Sequence, residues 1–181
     1  MRVFDFDKTI FHKDSTATFY FFLLRKKPSL VLHFPVFKAL GFKLGIVPKL
    51  KFKQAFYSFL KYIDVDDYLT EFWDKNMALM HKWYIPKSDY VIISASPEFL
   101  LEIPCARLGV GKMMASRVDK HTGEYTGENC WGEEKVKRFY EAFPSGHIEE
   151  FYSDSYSDSP LALISDVSYL VDGETLKPWK N

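Results

Sequence analysis

Asp5 and Asp7 stand one residue apart where the first apolar segment of the chain, residues 2–6, runs out. In a strand, side chains two positions apart point to the same face. Two carboxylates on one face repel unless a cation or a shared proton lies between them. Such a segment ends either in an ordinary polar turn or at a metal site, and the rest of the chain has to decide between the two.

Beyond these acids the chain is first helical, then alternates between strands and helices. Asp14-Ser15-Thr16 supplies capping residues before ATFYFFLLRKK, a helix expected to stop near Pro28. The next apolar and basic stretch is interrupted at Pro35, Gly41, Gly45 and Pro48. It reads as short helices and then a longer one from about residue 48 to 63, with residues 64–84 as a further helix. Residues 89–94, DYVIIS, form a short and nearly continuous apolar run, as in a parallel strand buried on both faces. A helix from Ser96 to about Leu108 comes next, with Pro97 at its first position. Residues 113–118 and 125–127 flank KHTG and predict a hairpin. The remainder reads as helix 133–143, strand 147–152, short helix 160–164 and a last strand 168–171.

This order predicts an α/β fold with a parallel sheet and a helical insert directly after the first strand. In open parallel sheets, sites form at the carboxyl ends of strands. Asp5 and Asp7, Ser94, and Asp154 and Asp158 each fall at such an end.

The 181 residues allow one sizeable core, or a core plus a small subdomain. Cys105 and Cys130 give no disulfide framework and fit a reducing compartment. Asp5 and Asp7 interrupt any signal-peptide apolar region, and no stretch reaches the roughly 18 apolar residues of a spanning helix. A cytoplasmic protein is expected. Its formal net charge of zero hides a split: residues 15–63 carry nine Lys or Arg and no acid. Outside that window, 24 minus these nine leaves 15 basic residues against all 24 acids, a net of −9. A basic segment inserted into an acidic body points to an anionic partner.

Four pieces then belong together: DFDKT at 5–9, IISAS at 92–96, GEEKV at 132–136 and YSDSYSD at 152–158. Paired acids, a hydroxyl, a lysine and two more acids at one sheet edge suit phosphoryl transfer. That reaction needs a nucleophile, a cation to offset phosphate charge, donors to the transferring oxygens and a group to manage the leaving-group proton. In kind and order these pieces resemble the four motifs of the haloacid dehalogenase-like (HAD) superfamily of phosphohydrolases, over almost the whole chain. The insert resembles the helical cap of the phosphoserine phosphatase-like subclass. FDFDKTIFHKD, SASPEFL, TGEYTGENCWGEEKV and YSDSYSDSPL look most like bacterial C-type phosphatidylglycerophosphate phosphatases.

The resemblance implies a Rossmann-like core of residues 1–12 and 86–181 with an all-α cap of residues 13–85. It implies Asp5 as the nucleophile that forms an aspartyl-phosphate, and Asp7 as the acid and then the base. It further implies Mg²⁺ held by Asp5, the Asp7 carbonyl and Asp154, with Asp158 orienting a metal-bound water from behind. Ser94 and Lys135 would bind phosphate oxygens, and Thr9 would steady the phosphate-binding loop. The expected substrate is a phosphate monoester on a phospholipid headgroup such as phosphatidylglycerophosphate, or else a small soluble ester of the phosphoserine kind.

Taken singly, each residue also has a plainer reading. Ser94 ends a strand, Lys135 lies on a helix surface, and Asp154 and Asp158 cap a turn; their joint order is what carries the catalytic reading. Asp14 is either a helix N-cap or a substrate contact. His12 and His33 are either packing or surface histidines or ligands, and Cys130 and Trp131 either line the site or pack in the core. The basic, aromatic insert is either a solvated cap face or a surface resting on an anionic membrane from the cytoplasmic side. No nucleic-acid partner is expected, since no nucleic-acid motif is present. Two rivals from other classes are a non-catalytic membrane-surface module on the same scaffold and a phosphoacceptor signalling domain.

Overall fold

A computed structural model of the protein describes residues 1–180. Its centre is a six-stranded sheet in the order β3-β2-β1-β4-β5-β6. The strands are β1 (Arg2–Phe4), β2 (Val91–Pro97), β3 (Lys112–Ser116), β4 (Ile148–Ser153), β5 (Ser165–Asp172) and β6 (Thr175–Pro178). The first five are parallel, and β6 folds back antiparallel on β5. The chain steps outward from β1 through β2 to β3, then crosses to β4 on the other side. The carboxyl ends of β1, β2 and β4 therefore meet at a topological switch point, where a crevice opens.

The register explains the two-sided core. Phe4 is level with Ile92 and Tyr152, and Val3 with Val91 and Phe151. Because alternate residues face opposite ways, the first set joins one buried cluster and the second another. On the first face the Phe4 ring stacks on Tyr152 at 4.7 Å, and Tyr152 on Tyr169 at 5.0 Å.

Between β1 and β2 lie four helices: α1 (Ser15–Lys26), α2 (Val36–Lys43), α3 (Lys49–Phe56) and α4 (Asp66–Asn76). Asp14 caps α1, its side chain accepting from the Ala17 amide at 2.8 Å. One stripe of α1, Phe19, Tyr20 and Leu23, is buried, and Phe19 meets Phe72 of α4 edge-on at 5.0 Å. Trp73 of α4 packs against Phe6 and Phe11 and donates its indole N–H to the Leu100 carbonyl at 2.7 Å. The aromatic-rich insert thus shares one continuous apolar cluster with a face of the sheet. By contrast, α2 buries no residue.

Helices α5 (Glu98–Arg107), α6 (Glu133–Ala142) and α7 (Ser159–Leu163) complete the chain. Four expectations are corrected. The helix expected over 48–63 divides into α3 and a 3₁₀ turn, Tyr57–Tyr62. The one expected over 64–84 stops at Asn76, and Met80 turns extended to pair with Phe11, because the His81 amide donates to the Ile10 carbonyl. The expected hairpin meets only at Val118 and Tyr125; its first arm is instead β3, paired in parallel with β2. Strand β6 lies outside the expected elements; its Leu176 and Lys177 pair with Val171 and Leu170.

Candidate active site

The loop that leaves β1 holds Asp5 and Asp7 in a tight turn. The amides of Thr9, Ile10 and Phe11 all donate to the Phe6 carbonyl, and Lys8 adopts a left-handed φ of 56°. A non-glycine residue in that region stores strain of about 1–3 kcal/mol, a feature that clusters at functional sites. Thr9 is fully buried, and its hydroxyl accepts from the Asp154 amide at 3.0 Å, tying the β1 loop to the β4 loop. Expected among the phosphate-binding residues, Thr9 is not among the residues that line the cavity.

Helix α6 begins after Gly132, whose φ of 58° suits a residue without a side chain. Lys135 and Phe139, four apart, occupy its buried face. Lys135 is 1% exposed, and its ammonium donates to Asp5 Oδ1 and Asp158 Oδ2, both at 2.7 Å. Burial pulls this ammonium down, but the carboxylates of Asp5 and Asp158 outweigh burial and hold it above the usual lysine range. For Asp5, burial is the largest influence, and with Asp158 nearby it raises the carboxyl to about 6 against the pull of Lys135. Asp154 is also raised, by burial first and by Asp158, while Lys8 lowers it.

Asp7 sits beside this cluster. Its Oδ1 accepts from the Ser15 amide at 2.9 Å and its Oδ2 from the Ser96 hydroxyl at 2.5 Å. Burial, then the charge of Asp14, pushes its carboxyl up to about 7, and the two hydrogen bonds only partly oppose this. The two acids of the first motif are thus set apart: one is paired with a lysine, the other placed to hold a proton near neutrality.

A cavity of about 510 Å³ lies over these groups, lined by Asp5, Asp7, Ser94, Lys135, Asp154 and Asp158 at one end. All the sequence-predicted site residues except Thr9 are therefore together; Asp14 also lines the wall while serving as the α1 cap. The other end is apolar and aromatic, with Tyr20, Phe34, Phe42, Phe52 and Phe56 from the insert. Of the two residues with open readings before α6, Trp131 lines the cavity and Cys130 packs in the core. His33 stacks on Tyr62.

Sequence reasoning missed Ser96 and Lys53. Ser96, expected at a helix start, is instead a strand residue two positions after Ser94, because β2 runs on to Pro97. Lys53 of α3 lines the cavity and donates to the Ala95 carbonyl at 3.0 Å, bringing the insert over the end of β2. It is one basic residue among nine in its window, with no local signal to single it out.

The profile of the haloacid dehalogenase-like hydrolases matches residues 3–163. The chain belongs to this family. No curated protein matches the sequence. Among solved structures, a protein of unknown function from Bordetella pertussis Tohama I superposes with a TM-score of 0.72 at 19% identity. That match covers 90% of this chain and 85% of the other. A probable phosphoserine phosphatase from Vibrio cholerae, in unliganded form, gives 0.63 at 11% identity, over 92% of this chain and 54% of the other. A substrate-bound phosphoserine phosphatase complex gives 0.53 at 13% identity, over 92% and 82%. At these identities the likeness to solved structures is one of fold. The hydrolase character of the HAD chain rests on the family match.

Proposed function

We propose that the chain is a phosphomonoester hydrolase working through an aspartyl-phosphate on Asp5. The observation that carries this reading is Lys135 bridging Asp5 and Asp158 on the floor of a cavity that also holds Asp7 and Ser94. In the first step an Asp5 oxygen attacks phosphorus, the ester P–O bond breaks, and protonated Asp7 gives its proton to the departing alkoxide. In the second, Asp7 takes a proton from water, which attacks the phosphorus of the acyl phosphate, releasing inorganic phosphate and restoring Asp5. The Ser94 hydroxyl and the Lys135 ammonium donate to the non-bridging oxygens.

The donor set fits a hard divalent cation such as Mg²⁺. Carboxylates of Asp5 and Asp158 meet one lysine, Asp154 lines the same cavity, and the second oxygen of Asp158 is buried with no partner among the described residues. Asp5, the Asp7 carbonyl and Asp154 would hold the ion, with Asp158 behind them. When bound, it would supply neutralisation of phosphate charge.

The helices of residues 13–85 act in this reading as a cap that shields the reacting centre from water. Their aromatic wall supports a substrate whose phosphate is attached to an apolar body, such as phosphatidylglycerophosphate. The exposed face of the same insert supports delivery from an anionic membrane surface: Phe37 is 90% exposed and Ile46 74%, beside Lys38 and Lys43. No helix among the described residues is long and apolar enough to cross a membrane. A small phosphoserine-like ester is the second reading, favoured by Asp14 in the cavity wall.

The test is phosphate release with Mg²⁺ from p-nitrophenyl phosphate, phosphoserine and micellar phosphatidylglycerophosphate, for wild type and Asp5→Asn. Release from the lipid, abolished by the substitution, is expected. Preference for phosphoserine would move the substrate to the second reading. No release from any ester would overturn the proposal.

A further inference from the structure

Away from the cavity, two histidines and a glutamate converge from three separate parts of the chain. His12 comes after the β1 loop, His81 lies on the segment entering β2, and Glu174 sits at the tip of the β5–β6 hairpin. His12 Nε2 lies 3.1 Å and His81 Nδ1 3.0 Å from the same oxygen, Glu174 Oε1. The two imidazole rings are 3.8 Å apart between centroids. None of the three residues lines the cavity described above.

The backbone holds this arrangement in place. Phe11 and Met80 pair antiparallel; the His12 amide donates to the Leu79 carbonyl, and the His81 amide to the Ile10 carbonyl. That register makes His12 and His81 diagonal neighbours on one face, where side chains can touch. The hairpin turns over two residues, Gly173 and Glu174, with Gly173 at a φ of 60° as such a turn favours. His81 is 2% exposed, so its ring cannot swing away into water.

We infer that His12, His81 and Glu174 form a second metal site, one that takes a single Zn²⁺ ion. Imidazole nitrogen and carboxylate oxygen are the donors this ion takes, with bonds of about 2.0–2.2 Å in tetrahedral geometry. Such bonds set the donor atoms about 3.4 Å apart, and the 3.0 and 3.1 Å separations are close to that edge. The three donor atoms all lie within 4.8 Å of one another. With three protein donors and the His12 and Glu174 side chains 38% and 47% exposed, a fourth position faces solvent. Zn²⁺ binding joins the β1 loop, the segment leading to β2 and the terminal hairpin, and it replaces the direct contacts of the two rings with Glu174.

The experiment measures Zn²⁺ affinity against a competing chelator, and Co²⁺ visible absorption, in the full chain. It uses an Asp5→Asn, Asp154→Asn background that weakens the first site. One equivalent of Zn²⁺ is expected to remain in that background, with the intense Co²⁺ bands of a four-coordinate site. Adding Glu174→Gln or His12→Gln is expected to weaken Zn²⁺ at least tenfold and to abolish the Zn²⁺-induced rise in melting temperature. Both residues are partly exposed, so the fold tolerates the change, and circular dichroism checks it. Zn²⁺ affinity unchanged by both substitutions, or no Zn²⁺ retained in the background, overturns the inference.

Discussion

The Ser96 hydroxyl donates to Asp7 Oδ2 at 2.5 Å, across 89 residues of sequence. It joins the end of β2 to the loop after β1 and favours the ionised form of Asp7, whereas burial and Asp14 favour the protonated one. Asp7 with a carboxyl near 7 acts as acid only while protonated, so phosphate release per substrate should fall as pH rises through about 7. Asp14→Asn removes a neighbouring negative charge yet keeps a good N-cap residue; it should move that alkaline limb to lower pH. Ser96→Ala should move it to higher pH. Profiles of kcat/KM against pH for the three proteins check the two opposite shifts.

The same burial affects stability. Asp5 and Asp7 are raised to about 6 and about 7, so the folded chain holds protons that the unfolded chain releases at lower pH. Their contribution is fully present below the ordinary carboxylate range and is lost as pH rises through 6 and 7. In a chelator, urea midpoints should decline over that window. Asp7→Asn should remove part of the decline and stabilise the metal-free protein at pH 8 by on the order of a few kcal/mol.

Lys135 offsets two buried carboxylates at once. Lys135→Met leaves both without their cation, and breaking a buried pair in this way costs about 3–5 kcal/mol. Urea denaturation should show that loss at neutral pH, together with loss of phosphate release. Adding Asp158→Asn to Lys135→Met should recover part of the stability without restoring activity.

Phe42 and Phe52 stack at 5.2 Å in the apolar end of the cavity. Truncating Phe52 to Ala removes contact area worth about 1–2 kcal/mol to a long apolar substrate. KM for micellar phosphatidylglycerophosphate should rise roughly 5- to 30-fold, while kinetics with p-nitrophenyl phosphate stay near wild type.

The exposed face of α2 yields a separate outcome. Phe37→Glu places a carboxylate at the most exposed large apolar side chain among the described residues. Co-sedimentation with anionic vesicles should fall several-fold, with p-nitrophenyl phosphate turnover unchanged. Equal sedimentation of both proteins would leave the lysines of the insert as a solvated surface.

The α/β order and nearly all of the candidate catalytic cluster are legible in the linear sequence. Asp5 and Asp154 each directly follow a strand and Lys135 lies in the first turn of a helix, places written locally in apolar runs closed by polar residues, whereas Ser94 falls inside β2, which runs on to Pro97. The Asp14 cap is legible too, a contact spanning only three residues. Other features depend on how the chain packs in space. Whether Thr9 meets phosphate or the Asp154 amide depends on how two loops 145 residues apart dock. Residues 77–84 continue the amphipathic pattern of α4, but the open backbone groups of Ile10 and Leu79 draw that segment into a ladder with the β1 loop. The same pairing brings His12 against His81, and only the fold of β6 on β5 carries Glu174 to them. Local propensity reads a few neighbours along the chain; these contacts arise because the sheet brings distant carbonyls, amides and side chains within a few ångströms of each other.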